Sequence, residues 1–186
     1  MAASAPLRIG IDASALAKKE RTGVSRYVLS LVEALGAVDG EDRFTLCYRM
    51  SRLRRARWFH RVRRPNFRRR LFQEGFTPLL ARSLDVFHGP DARVPRRLGR
   101  TPLVATVHDV FSLDSEKWAD EGFREAKRRA YADLAARARF LLFVSSHSRD
   151  RFLEFHPVEA DRVRVVPEGV DPGFGRVDPA AAAAAR

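Results

Sequence analysis

Short apolar runs alternate with helical patterns along almost the whole of this sequence, and that alternation constrains the fold more than any single residue does. Residues 7–13 (LRIGIDA) form an apolar run that turns polar through SALAKKERTG, as a buried strand followed by a loop does. Val24, Tyr27, Val28, Leu31, Val32 and Leu35 then recur at the spacing of one helical face, with Thr22 suited to cap the start and Gly36 the end. Residues 43–48, 85–90, 102–109, 140–146 and 162–167 read as further strands. Helices are expected over 116–139, with Phe123, Ala126, Ala130, Tyr131 and Leu134 toward the core, and over 148–155. Strands that alternate with helices imply crossover connections. The expected fold is therefore α/β, a Rossmann-like doubly wound parallel sheet with helices on both faces and a ligand crevice at the carboxyl ends of its strands.

A chain of 186 residues, 45% of them hydrophobic, suits one well-buried domain, expected over 1–175, with an Ala-rich tail or linker at 176–186. No apolar run approaches the roughly 20 residues that span a bilayer, and MAASAPLRIGID enters a strand pattern without a signal-type apolar core. A soluble, cytoplasmic protein is expected. Cys47 is the only cysteine, which excludes an intramolecular disulfide and a thiolate metal cluster.

The net charge of +12 is concentrated in one place. Residues 49–70 hold eleven Arg and no Lys, Asp or Glu, while the other 164 residues carry 24 basic and 23 acidic side chains. An Arg-rich insertion is expected at about 49–72, on a helix broken near Pro65 that interleaves arginine with Trp58, Phe59, Val62, Phe67, Leu71 and Phe72. Such a surface docks on anionic lipid headgroups, here through Arg54, Arg55, Trp58, Arg61, Arg64 and Arg68, and would place the protein peripherally at the inner face of the membrane. RNA binding and a solvated loop are the competing readings, and nucleic acid is not the partner expected.

The residues suited to chemistry stand where strands end. Gly23 opens the first helix in TGVSRY, where backbone N–H groups and the helix dipole favour an anion, and Arg26 follows one turn later. The three-glycine dinucleotide fingerprint is missing, which sets aside a nicotinamide or flavin oxidoreductase. His108 and Asp109 close PLVATVHD, where a histidine can orient a hydroxyl or donate to a leaving phosphate and the aspartate can accept from sugar hydroxyls. His60, His88, His147 and His156 show no metal-ligand spacing with that pair, and no metal or other cofactor is expected. Ser145, Ser148 and Arg149 lie in VSSHSRD, a second strand-to-helix passage, and Glu168 and Gly169 follow the last strand, where Gly169 suits an unusual backbone angle. Each has a plain structural counterpart: a tight turn, a satisfied histidine, a helix cap.

The ordered series TGVSRY, PLVATVHD, VSSHSRD and VRVVPEGVDPGF resembles the amino-terminal domain of family 4 retaining glycosyltransferases, which have the GT-B fold. The resemblance runs from Leu7 to Phe174. It implies that Gly23 faces the donor diphosphate, that His108 and Asp109 face the reacting sugar and acceptor, and that the 145–149 stretch borders the cleft. It also implies a nucleotide diphosphate sugar as donor substrate, a glycan or lipid-linked acceptor, and a carboxyl-terminal GT-B domain, in cis or trans, that holds the donor. The family more often has Asn-Gly-Val-Asp where this chain has EGVD, so a side-chain role for Glu168 is this chain's own. A noncatalytic Rossmann-like module that contacts membrane or RNA through its arginines is the alternative from another class, and a nucleotide-binding regulatory domain is a third.

Overall fold

The computed structural model describes residues 5–38, 40–114 and 119–170. Seven strands form one sheet, β1 (Arg8–Asp12), β2 (Arg43–Arg49), β3 (Phe67–Phe72), β4 (Val86–Gly89), β5 (Leu103–Val107), β6 (Phe140–Phe143) and β7 (Val163–Val165). Their spatial order is β3-β2-β1-β4-β5-β6-β7, and every neighbouring pair is parallel. Parallel strands need crossovers, and these bring α1 (Gly23–Val38), α2 (Thr77–Ala81), α3 (Phe111–Asp114), α4 (Glu121–Arg137) and α5 (Ser146–Phe155) against the sheet. The order reverses between β1 and β4, where an α/β sheet opens a crevice at its carboxyl edge.

Burial follows the period of two. In β2, Phe44, Leu46 and Tyr48 join Ile11, Val28 and Val32 in a core under α1, while Cys47 faces a second core with Phe87, Leu103, Ala105, Tyr131, Leu134 and Phe152. The burial of Cys47 pushes its thiol up to about 12, so it is an inert packing group. Gly89 ends β4 where a Cβ would collide with the Val94 side chain, so the glycine lets Val94 pack against the strand end.

Several sequence expectations shift. Gly36 does not end α1; it is buried within the helix, and a Cβ there would meet the Arg64 side chain at 3.3 Å. Thr22 caps α1 through its backbone carbonyl, which accepts from Arg26 N at 2.9 Å, and its N–H donates to Ser25 Oγ at 2.6 Å. The long helix begins at Glu121, with Asp120 as its cap, and residues 116–118 of the expected span lie outside the described residues. Its inward stripe is Arg124, Tyr131 and Leu134; Phe123 is exposed and stacks on Phe111 at 6.3 Å. Arg124 is accommodated because its guanidinium bonds Ser112 O and Glu121. The Ala-rich tail at 176–186 lies outside the described residues.

The arginine segment is not a helix broken at Pro65. Met50–Trp58 is a kinked 3-10 segment, an irregular stretch follows, and Phe67–Phe72 is the edge strand β3. Phe59 stacks on Tyr48 at 3.9 Å and Phe67 on Phe44 at 4.6 Å, so the aromatic residues of this run face the protein core. Arg54, Arg55, Arg61 and Arg64 remain exposed, Trp58 is half-buried with Arg57 over its ring, and Arg68 donates to Thr45 Oγ1 at 2.9 Å.

Candidate functional site

Because the sheet is parallel, its loops gather chemistry at one edge. β5 ends at Val107 and presents His108 between three elements. His108 Nε2 donates to Pro90 O at 2.9 Å, its Nδ1 lies 2.9 Å from Glu168 Oε1 beyond β7, and the Tyr27 ring of α1 meets it edge-on with centroids 4.7 Å apart. Pro90 O only accepts, so Nε2 carries a hydrogen. The Nδ1–Glu168 contact is at hydrogen-bonding distance, and a hydrogen bond to a carboxylate is of the stronger, charge-assisted kind. Both ring nitrogens are thus occupied, and Glu168 is the more exposed side chain of its contact with His108. Asp109 is exposed beside it, and its backbone carbonyl accepts from Tyr131 Oη at 2.8 Å.

Behind His108 runs a buried polar line. Tyr27 Oη is 3.3 Å from Thr106 Oγ1, which is 2.9 Å from His88 Nε2. One hydroxyl serves both neighbours if Tyr27 donates to Thr106 and Thr106 donates to a neutral His88. Burial, with His108 adding like-charge repulsion, lowers the His88 pKa to about 4, in keeping with that neutral acceptor.

The other expected residues occupy the same edge in different ways. Ser145 caps α5 by accepting from Ser148 N at 3.1 Å, and Ser148 Oγ donates to His108 O at 3.3 Å. These serines therefore fix α5 against the His108 backbone. Arg149 is half-buried and paired with Asp150 at 2.7 Å. Gly23 and Arg26 are exposed on the first turn of α1. Neither Gly23 nor Gly169 has a neighbour that a Cβ would meet. Gly99 alone among the described residues has positive φ, so Gly169 does not need the unusual angle expected of it.

Sequence reasoning missed the other half of the edge. Between the ends of β1 and β4 lies a cavity of about 200 Å³ whose floor is Asp12 and Arg49. Asp12 Oδ1 accepts from Ser14 N at 2.9 Å, and Asp12 Oδ2 accepts from Arg49 Nη2 at 3.1 Å. The same guanidinium donates to Arg93 O at 2.8 Å and faces Glu74 at 3.5 Å, tying β1, β2 and two loops together. Burial raises the Asp12 pKa from its ordinary value, while Arg49 and the Ser14 bonds pull it back. Asp12 was visible as the polar residue closing the first strand, but Arg49 was hidden at the head of the arginine run. Pro90 and Asp91 line this cavity while Pro90 O holds His108, so the two regions adjoin at Pro90.

Comparison with known proteins places this geometry. The model of Glycosyltransferase Family 4 matches residues 21–174. The fold is similar to crystal structures of Anabaena HepE in complex with UDP-glucose (TM-score 0.58, 15% identity, covering 93% of this chain and 46% of that one) and with UDP and glucose (0.58, 14%, 97% and 49%). The HepE complex with UDP is similar too (TM-score 0.57, 14% identity, 94% and 47%). The chain spans about half the length of these structures. No curated protein matches it.

Two measurements probe the site's framework. Arg49→Gln leaves Asp12 buried without its partner and should cost about 3 kcal/mol in urea unfolding. Adding Asp12→Asn should recover much of that loss, and simple additivity would show that the pair is not coupled. His88 is neutral in the fold, so its contribution is present above its ordinary pKa of 6.5 and is lost as pH falls toward 4. Unfolding curves should show His88→Gln losing less stability than the parent across that window.

Proposed function

The chain belongs to Glycosyltransferase Family 4, and on that premise we propose that it is the acceptor side of an enzyme that transfers a sugar from a nucleotide diphosphate sugar, with retention of configuration. The acceptor is a glycan or a lipid-linked sugar, and the groups that hold the donor come from a carboxyl-terminal GT-B domain, in cis or in trans. The reading is carried by His108, which stands at the carboxyl end of β5 between the α1 start, the Pro90 turn and Glu168. All of these border the crevice that a parallel sheet offers to a ligand.

In this reading His108 orients a sugar hydroxyl or a departing phosphate oxygen, and Asp109 accepts from hydroxyls of the bound sugar. Glu168 holds His108 in place until a ligand takes over Nδ1, which gives this chain a role for the residue that replaces the more frequent asparagine. In this reading the exposed α1 start, with Gly23 and Arg26, faces the donor diphosphate, and the half-buried Arg149 borders the cleft. UDP-glucose, which Anabaena HepE binds, is the first donor to try. Assembled with a donor-binding domain, the chain should transfer sugar, and His108→Ala should lower kcat by about 10²-fold or more. Transfer that persists unchanged in that variant would remove His108 from the reaction.

The exposed Arg54, Arg55, Arg61 and Arg64 support a second element, peripheral attachment to an anionic membrane where a lipid-linked acceptor resides. The contact is electrostatic, since Phe59 and Phe67 of the same run are stacked on the core. Co-sedimentation with phosphatidylserine vesicles at about 0.1 M salt should be lost at about 1 M salt, where the Debye length shrinks to about 3 Å. It should also be lost when these four arginines become Gln, and binding that survives both changes would dismiss the attachment.

A further inference from the structure

The cavity between β1 and β4 has a balanced floor and an unbalanced rim. On the floor, the Asp12 carboxylate is matched by Arg49 at 3.1 Å and by Ser14 N at 2.9 Å. Arg49 spends its remaining donors on Arg93 O and Glu74. This pair has little left to offer a ligand. The rim is different. Lys18, Arg52 and Arg93 all line the cavity, and none of their side chains forms an ion pair among the described residues. Against these three cations stands one carboxylate, Asp91, whose Oδ1 accepts from Ala92 N at 2.6 Å. The rim therefore carries an excess of two positive charges. Lys18 and Arg52 are half-buried, where a charge is screened less than on open surface.

We propose that this cavity is a subsite for the phosphomonoester of a phosphorylated polyol, held by Lys18, Arg52 and Arg93. Charge, size and position agree on this ligand. A phosphomonoester carries about −1.5 to −2 near neutral pH and so matches the rim. The cavity, about 200 Å³, admits a phosphate with part of a ring. It lies below the roughly 300–1,000 Å³ typical of sites that enclose a larger ligand, such as a whole nucleotide sugar. Asp91 accepts from a hydroxyl and so selects a polyol over a bare anion. Pro90 joins the cavity to His108, whose Nε2 it holds at 2.9 Å, so a polyol anchored by its phosphate presents a hydroxyl to that histidine. The assignment of this ligand as the acceptor rests on the glycosyltransferase reading, whereas the phosphate site stands on the cavity alone.

The test is calorimetry on the full chain without donor or partner domain, so it is independent of whether sugar transfer occurs. Glucose 6-phosphate and monomeric dihexanoyl phosphatidic acid serve as soluble and lipid sources of the same phosphomonoester, with glucose and inorganic phosphate as references. The triple variant Lys18→Gln, Arg52→Gln, Arg93→Gln should weaken binding of the better phosphomonoester at least about tenfold, since charge-assisted bonds to phosphate are lost. Arg82→Gln, Arg97→Gln, Arg100→Gln removes the same charge at exposed positions outside the cavity and should change it less than about twofold, as screened distant charges do. If the triple variant fails to fold, Arg93→Gln alone, at an exposed position, should still weaken binding about threefold. Equal losses in both triples, binding of inorganic phosphate as tight as that of either phosphomonoester, or no binding of either ester would each overturn the proposal.

Discussion

Everything at the functional edge depends on the seven strands being parallel. A parallel sheet must be covered on both faces and must return each chain segment by a crossover, so the amino ends of the strands collect one set of loops and the carboxyl ends another. The carboxyl set holds Asp12, Arg49, Pro90, His108, Ser145 and Glu168, drawn from six strands and gathered at one edge of the sheet. Distant in sequence, these residues meet because each stands at the end of a strand, or just beyond it, and the strands are held by the cores beneath.

Two bonds join the two regions of this edge. Arg49 ties the end of β1 to the loop after β4 through Asp12 and Arg93 O, and Pro90 O on that same loop fixes His108 at the end of β5. Movement of the loop would therefore alter the charged cavity and the histidine together. The polar line from His88 through Thr106 to Tyr27 braces the opposite side of the His108 ring, so Glu168 is its least enclosed neighbour. In the proposed reaction, a ligand that displaced Glu168 would find the imidazole already aimed, sparing the cost of orienting it.

The strands and α1 were legible because they obey simple periods: β1, β2, β4, β5, β6 and β7 are apolar runs stopped by turn residues, and Val28 and Val32 mark the inner stripe of α1. β3 was hidden because FRRRLF has three successive arginines and no alternation. Its pairing with β2, from Phe44 opposite Phe67 to Arg49 opposite Phe72, decides its structure. Charges on an edge strand also discourage pairing with other chains, which gives Arg68, Arg69 and Arg70 a structural role. In α4 the period points to Tyr131 and Leu134 correctly but also to Phe123, whereas the carbonyl of Ser112 and the carboxylate of Glu121 allow Arg124 inside. At the site, His108 and Glu168 were visible as strand-end residues, while Asp12 and Arg49 meet only in three dimensions. Ser145 and Ser148 fitted both the cleft and the cap, and their hydroxyls are engaged in the cap and in the His108 backbone.

The central claim is that a sugar reacts at the carboxyl edge of this sheet, against His108. A structure of the chain assembled with a donor-binding domain and UDP-glucose tests it most directly. The account predicts the glucose within hydrogen-bonding distance of His108, with the contact to Glu168 broken and the cavity between β1 and β4 open toward the sugar. Glucose bound away from this edge, with His108 still joined to Pro90 and Glu168, would contradict it.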